Sequence, residues 1–246
     1  MTAARKFIEF LRVAKRKLKK LSRRPAVGHV DLGSLDRVTP VSREWGFDRG
    51  TPIDRLYIEE FIAEWRDDVC GHVLEVADNT YTVRFGEDRV TQSDILHNTP
   101  GNARATMILD LVNTDQAPGD RFDCIICTQT LHLIYDLKSA IRSLHKMLKP
   151  GGVLLLTAPA ITAISRWDMD RHGDHWRFTS ATIRRLFEET FAGAEPGINI
   201  YGNVYAATAF LHGLAVEELA AGKLAYFDPD YEMLIGIRVK KPPESE

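Results

Sequence analysis

The sequence predicts an α/β fold built on a parallel sheet, and three adjacent segments carry that prediction. Phe122–Thr128 and Val153–Ala158 are apolar runs of strand length. Between them, Leu137–Leu148 repeats apolar residues at helical spacing, and Pro150-Gly151-Gly152 stops it. Strand, helix and strand in this order make a βαβ crossover, which sets the two strands parallel. The chain has 246 residues, enough for one such domain with a full core.

The remaining elements follow in chain order. Residues 3–22 predict an amphipathic helix, because Phe7, Leu11, Ala14, Leu18 and Leu21 recur at spacings of four and three before Pro25. Residues 1–24 hold ten Lys/Arg and one acid, a charge of +9, whereas the rest carries 22 bases and 33 acids, a charge of −11. Such a helix suits an anionic membrane surface, or packing on the body or a partner. Nucleic acid is the weakest of these readings, because it needs a basic track and the body is acidic. Residues 25–44 read as a linker of Pro, Gly, Ser and Asp. Val41–Asp54 mixes aromatics, arginines and glycines without period, the pattern of a segment that folds over a site. Asp54 is the expected cap of a helix over Arg55–Asp67, whose Leu56, Ile58, Phe61, Ile62 and Trp65 share a face. Strands are predicted at His72–Ala77, Arg89–Leu96 and Ala105–Val112, ahead of Phe122–Thr128. After Val153–Ala158 come a helix over Ser180–Phe191 capped by Thr179 or Ser180, and a strand near Gly197–Tyr201. A helix at about Val204–Ala221 and a last strand at Tyr231–Lys240 complete the chain. The expected organisation is a basic helix at 1–24, a linker and cap at 25–69, and the sheet domain at 70–241.

Composition narrows the class. Charged residues are 27% and hydrophobic residues 44%, as in a globular protein that stays in water. No apolar run approaches the roughly 20 residues that span a bilayer, and Met1–Leu21 lacks the apolar stretch of a signal peptide. Three cysteines suggest no disulfide framework, and Cys124 and Cys127 are an odd number of strand positions apart, so they face opposite ways. A cytoplasmic protein with reduced thiols is expected, peripheral at a membrane if residues 1–24 bind one.

A polar cluster, Thr128, Gln129, Thr130 and His132, ends the strand that begins Phe122-Asp-Cys-Ile, and Leu148-Lys-Pro-Gly-Gly152 precedes the next. In open parallel sheets ligands bind beyond the carboxyl ends of strands. At these residues the chain resembles class I S-adenosylmethionine-dependent methyltransferases, and Trp176-Arg-Phe-Thr179 resembles their type 11 branch. The resemblance covers roughly residues 70–240. It implies a doubly wound, Rossmann-like sheet of seven strands, mostly parallel with an antiparallel last strand. It also implies S-adenosylmethionine as cofactor, S-adenosylhomocysteine as product, and no metal. Glu75 matches the acid of the family's first motif; Ala77, Asn79 and Tyr81 stand where that motif carries glycines, with Asp78 in the same turn. Only residues 78–88 separate the first two strands, room for one helical turn. Asp94 resembles the acid that takes the ribose hydroxyls, and Asp110-Leu111 resembles the pair beside the adenine. Thr128 and Gln129 match the methionine end, and Arg49 or Arg55 is expected to pair with the cofactor's carboxylate.

Methyl transfer from a sulfonium needs alignment more than protein chemistry. A hydroxyl acceptor also needs a base. The candidates are His175, with Asp174 beside it as orienter, and His132. Residues 165–179 combine aromatics with His, Asp and Arg, which suits a polar, ring-bearing acceptor. Trp45, Tyr57, Arg166, His172, Trp176 and Arg177 are the candidate acceptor contacts. His172-x-x-His175 has no third metal ligand at diagnostic spacing. The expected function is O-methylation of a small molecule, sugar or natural product. The competing readings are a binding or scaffold protein that kept the fold, motivated by the missing glycines, and an RNA methyltransferase resting on the basic arm alone.

Overall fold

The computed structural model describes residues 25–243; the basic helix expected over 3–22 lies outside the described residues. The chain forms two compact units, residues 1–40 and 41–246. The described part of the first carries a 3₁₀ turn at Gly33–Leu35, where the Asp31 carboxylate accepts from the Gly33 N–H.

The second unit is a seven-stranded sheet. Its strands are β1 (Gly71–Val76), β2 (Val90–His97), β3 (Met107–Ile108), β4 (Phe122–Thr128), β5 (Leu148–Pro159), β6 (Gly197–Tyr201) and β7 (Leu234–Lys240). They lie in the order β3-β2-β1-β4-β5-β7-β6. The first five pair in parallel, and β7 runs antiparallel to both β5 and β6. This is the architecture that the resemblance implies.

Helices cover both faces: α1 (Ile53–Glu64), α2 (Leu137–Met147), α3 (Arg166–Met169), α4 (Ser180–Thr190), α5 (Val204–Leu211) and α6 (Ala221–Leu224). Strand alternation sorts the apolar residues into two layers. Leu74, Ile125, Leu154 and Ile237 pack with α2 and α4, while Val73, Ile126, Leu155 and Leu234 pack with α1 and α5. Cys127 and Cys124 fall into these opposite layers, and burial pushes the Cys127 thiol up to about 12. Neither is a reactive thiolate. None of the described helices is long and apolar enough to cross a membrane.

Boundaries differ from the expected ones for identifiable reasons. β5 starts at Leu148, because this residue already pairs with Phe122 before the Pro-Gly-Gly turn. A Cβ on Gly152 would sit 2.9 Å from the carbonyl oxygens of both Phe122 and Lys149, so this crossing admits only glycine. β3 shrinks to two residues because β2 ends at His97, which pairs with Ile108 and leaves no ladder beyond. α1 begins at Ile53, so Pro52 holds the cap position and Asp54 lies within the first turn. α5 stops at Leu211 because Gly213 turns left-handed (φ +69°), returning its own N–H to Phe210 and that of Leu214 to Ala209. Thr179 caps α4 through the Thr182 N–H.

Candidate active site

The strand order reverses between β1 and β4, so their connections leave in opposite directions and open a crevice at the carboxyl ends. The residue that follows each strand is strained. Ala77 has φ +75° and Gln129 has φ +46°, left-handed values at non-glycine positions. Each costs on the order of 1–3 kcal/mol, and such strain concentrates at ligand sites.

Glu75 organises the β1 side. Its carboxylate is 2% exposed and accepts from the Tyr81 N–H (3.1 Å), the Thr82 N–H (2.7 Å) and the Thr82 hydroxyl (2.7 Å). Burial pushes it up to about 7, against the lowering effect of these bonds. A short π-type turn, Thr82–Gly86, stands where a longer link would carry a helix. Tyr81 turns away from the crest into the apolar layer under α1, where its hydroxyl accepts from Arg55 at 3.2 Å. Ala77 and Asp78 remain exposed at the crest. The Ala77 carbonyl accepts from Asn102, and Arg104 bonds Asn79.

A cavity of about 320 Å³ lies beyond the carboxyl ends of β4 and β5. Gln129, His132 and Leu133 line it after β4. Pro159, Thr162, Ala163, Ser165, Asp168, Asp174 and Arg177 line it from β5 onward, and Phe210, Met233 and Leu234 close the far side. Trp45, Phe47, Asp54 and Arg55 form the remaining wall, contributed by the segment before β1. That segment is clamped to residues 212–218. The Val41 and Ser42 N–H groups donate to the His212 carbonyl (2.8 and 3.1 Å). Thr51 donates to Glu217 through its N–H and hydroxyl (2.9 and 2.7 Å). Arg49 forms a two-point pair with Glu218. Within this segment Trp45 takes a left-handed φ of +51°, an outlier for a bulky residue, and its side chain lines the cavity.

Two polar groups dominate the post-β4 and post-β5 walls. His132 is 9% exposed, its Nδ1 is buried without a hydrogen-bond partner among the described residues, and burial pushes it down to about 4. It is therefore neutral near pH 7. Asp174 accepts from Arg177 (2.5 and 2.8 Å) and from the Ser165 N–H (2.9 Å). Burial raises this carboxyl most, but the Arg177 hydrogen bonds, the Ser165 N–H and the Arg177 charge together outweigh it and leave the net value below the ordinary range.

The structure brings some expected residues to the cavity and corrects others. His132, Asp174, Gln129, Arg55, Trp45 and Arg177 line it. His175 does not: it is exposed, with its ring edge-on to Tyr135 at 5.5 Å and its N–H on the His132 carbonyl. Asp174 cannot orient His175, because its carboxylate is committed to Arg177 and Ser165. Asp94 lies three positions before the end of β2 and binds His72 (2.7 Å) and Arg121 (2.8 Å), an internal ion pair below the rim. Arg49 is spent on Glu218. Tyr57 is 2% exposed and donates to the Leu224 carbonyl, so it packs in the core. Arg166 is exposed and pairs with Asp170, and His172 is exposed beside Trp167. Trp176 donates its indole N–H to the Ile134 carbonyl and packs on the core. Leu111 is buried in the α2 layer, while Asp110 is exposed and accepts from Val112. Thr128 ends β4 half-buried, its carbonyl accepting from Thr130. Asp168, Phe210 and Met233 had no individual signal. Only the shared rim of β5 and the antiparallel β7 brings them in. Among the described residues, no three His, Cys, Asp or Glu side chains converge as a metal site.

The crest fits the cofactor that the resemblance implies. The positive φ of Ala77 reproduces the backbone a glycine would adopt, the bulky Tyr81 is folded away, and Ala77 and Asp78 stay exposed. Comparisons with known proteins agree with the architecture. No curated protein matches the sequence. Among solved structures, the chain is similar to an S-adenosylmethionine-dependent methyltransferase from Archaeoglobus fulgidus, at 10% identity and TM-score 0.50, covering 76% of this chain and 94% of that one. It is similar to Haemonchus contortus phosphoethanolamine N-methyltransferase 2 in complex with S-adenosyl-L-methionine, at 13% identity and TM-score 0.51, covering 84% and 54%. It is also similar to Burkholderia thailandensis 1,6-didemethyltoxoflavin-N1-methyltransferase, at 11% identity and TM-score 0.50, covering 98% and 92%. A family model described as a methyltransferase domain matches residues 8–190. With that match over most of its length and the seven-stranded sheet it forms, the chain belongs to the class I S-adenosylmethionine-dependent methyltransferases.

Proposed function

We propose that this methyltransferase acts on a hydroxyl oxygen of a small molecule held in the cavity, with His132 as the base. The observation that carries this reading is a nine-tenths buried imidazole that lines the cavity just beyond β4 and whose Nδ1 has no partner among the described residues. When bound, S-adenosylmethionine supplies a methyl group activated by its attachment to a positively charged sulfur. The exposed turn at Ala77 and Asp78, the Arg55 guanidinium, Gln129 and Asp110 would hold it. His132 takes the hydroxyl proton as the O–H bond breaks, so that the acceptor oxygen becomes the nucleophile. Trp45 and Phe47 give that wall aromatic surface. The Asp174–Arg177 pair fixes the segment that faces His132. Sugars and hydroxylated natural products are the acceptor classes this reading favours.

Calorimetric titration with S-adenosylmethionine and S-adenosylhomocysteine tests the cofactor half. Tight binding of both is expected, and absence of both at millimolar concentration refutes it. Single-turnover transfer to hydroxyl and amine acceptors by wild type and His132→Ala tests the base. Transfer to nitrogen alone, unchanged in the variant, refutes oxygen as the acceptor atom.

A further inference from the structure

The charges of the cavity are distributed unevenly between its two halves. Arg55 and Asp54 share the wall beside the β1–β4 crevice; Arg55 reaches Tyr81 and lies within the field of Asp78. That half is the one assigned above to the cofactor, and the present inference rests on that assignment. The half over β5 and β7 is left for the acceptor. Its two other charged groups, Asp174 and Arg177, neutralise each other. Asp168 remains. It lines the cavity, and its carboxylate makes no ion pair or hydrogen bond among the described residues.

Asp168 is held rigidly by its main chain alone. Its N–H donates to the Ser165 hydroxyl at 3.2 Å, and its carbonyl accepts from the N–H groups of Arg171, His172 and Gly173 at 2.7–3.1 Å. The main chain is thus held at this position, and the carboxylate is left unused among the described residues. It also lies close enough to His132 to affect its charge. In the opposite wall, Trp45 pays backbone strain to present its side chain to the same cavity, with Phe47 beside it. Arg55 already lies over the Phe47 ring at 5.9 Å, so the Trp45 ring and the unpaired Asp168 carboxylate are what this cavity offers a further cation, since a π face and an anion both attract positive charge. The unpartnered His132 in the same space serves a hydroxyl on that molecule.

We propose that the acceptor is a hydroxylated amine, whose ammonium group is held by Asp168 and by the aromatic wall of Trp45 while its hydroxyl meets His132. An amino sugar or a phenolic amine belongs to this class; an anionic acceptor is disfavoured by the same carboxylate.

The test uses the full chain saturated with S-adenosylhomocysteine, titrated calorimetrically with glucosamine, tyramine and ethanolamine, each against its neutral N-acetyl derivative. At least one amine is expected to bind roughly tenfold or more tightly than its neutral partner. Asp168→Asn, which is isosteric, should abolish that preference while S-adenosylhomocysteine affinity stays unchanged. Trp45→Phe should retain part of the preference and Trp45→Leu should lose it. The proposal is overturned if no amine outbinds its neutral partner, or if the preference survives Asp168→Asn. It is also overturned if Asp168→Asn weakens S-adenosylhomocysteine instead, which would assign this carboxylate to the cofactor. Failure of the wild type to bind S-adenosylhomocysteine is seen before any amine is added, and refutes the earlier reading separately.

Discussion

The connections that leave β1 and β4 flank one crevice and are built in opposite ways. From β4 to β5 the chain forms the helix α2, capped by Asp136 and burying Ala140, Ile141, Leu144 and Met147. From β1 to β2 it forms no α-helix, and the turn is tied instead by three hydrogen bonds to the buried Glu75 carboxylate. The first is held by apolar area, which weakens gradually as atoms are removed. The second depends on one buried polar group, whose loss strands its partners together. The rim therefore joins a sturdy side, which carries the proposed base, to a side that is sensitive to pH and substitution.

The largest expected effect sharpens the catalytic role of the sturdy side. His132→Ala should lower single-turnover methyl transfer on the order of 10²–10⁴-fold, with cofactor affinity measured alongside. Wild-type turnover in the variant would place the base elsewhere. On the other side, Glu75→Ala should cost about 3 kcal/mol in denaturant melts, because two N–H groups and a hydroxyl lose their acceptor. It should also weaken cofactor binding through the crest at Ala77. Equal melting of variant and wild type would mean that the turn stands without its anchor.

The two sides should also respond to pH with opposite sign. Glu75 is raised in the folded chain to about 7, so its contribution is complete below its ordinary value near 4.5 and is lost as pH rises through 7. His132 is lowered to about 4, so its contribution is complete above 6.5 and is lost as pH falls through 4. Each amounts to about 3 kcal/mol, and between pH 4.5 and 6.5 they nearly cancel. Chemical denaturation across this range should show Glu75→Gln gaining stability with rising pH and His132→Ala losing it. Parallel slopes would refute the assignment.

Smaller effects mark the limits of the contrast. Asp136→Ala should remove about 1 kcal/mol by uncapping α2 and leave cofactor affinity untouched. His175→Ala should change turnover by less than about twofold, because the exposed ring stands outside the cavity. A loss as large as that of His132→Ala would restore His175 as a functional base.

The residue readings that succeeded had local causes. Phe122–Thr128 matches β4 end to end, and Gly197–Tyr201 matches β6. Thr179 caps its helix as its position before an amphipathic segment suggests. The opposite burial of Cys124 and Cys127 follows from strand alternation. The readings that failed concerned which way a polar side chain is spent. Asp174 stands beside His175 in the chain, yet its carboxylate goes to Arg177 three residues on. Asp94 matches a motif position but pairs inward, because β2 runs on to His97 and leaves it below the rim. Arg49 and Arg55 were equivalent candidates until Glu218 claimed the first.

The layered sheet, the crossover between β4 and β5, and the family to which they point are legible in the residues alone. Apolar period, strand length and the Pro-Gly-Gly stop act over a few residues and leave little room for another fold. Which histidine reaches the cavity, which carboxylates are consumed in ion pairs, and that Asp168 has no partner among the described residues follow from the folded arrangement alone. Those outcomes depend on partners far apart in sequence and on the direction of each side chain. A hydrogen bond or ion pair is directional and is satisfied once, so its assignment follows from the folded geometry of all competing groups.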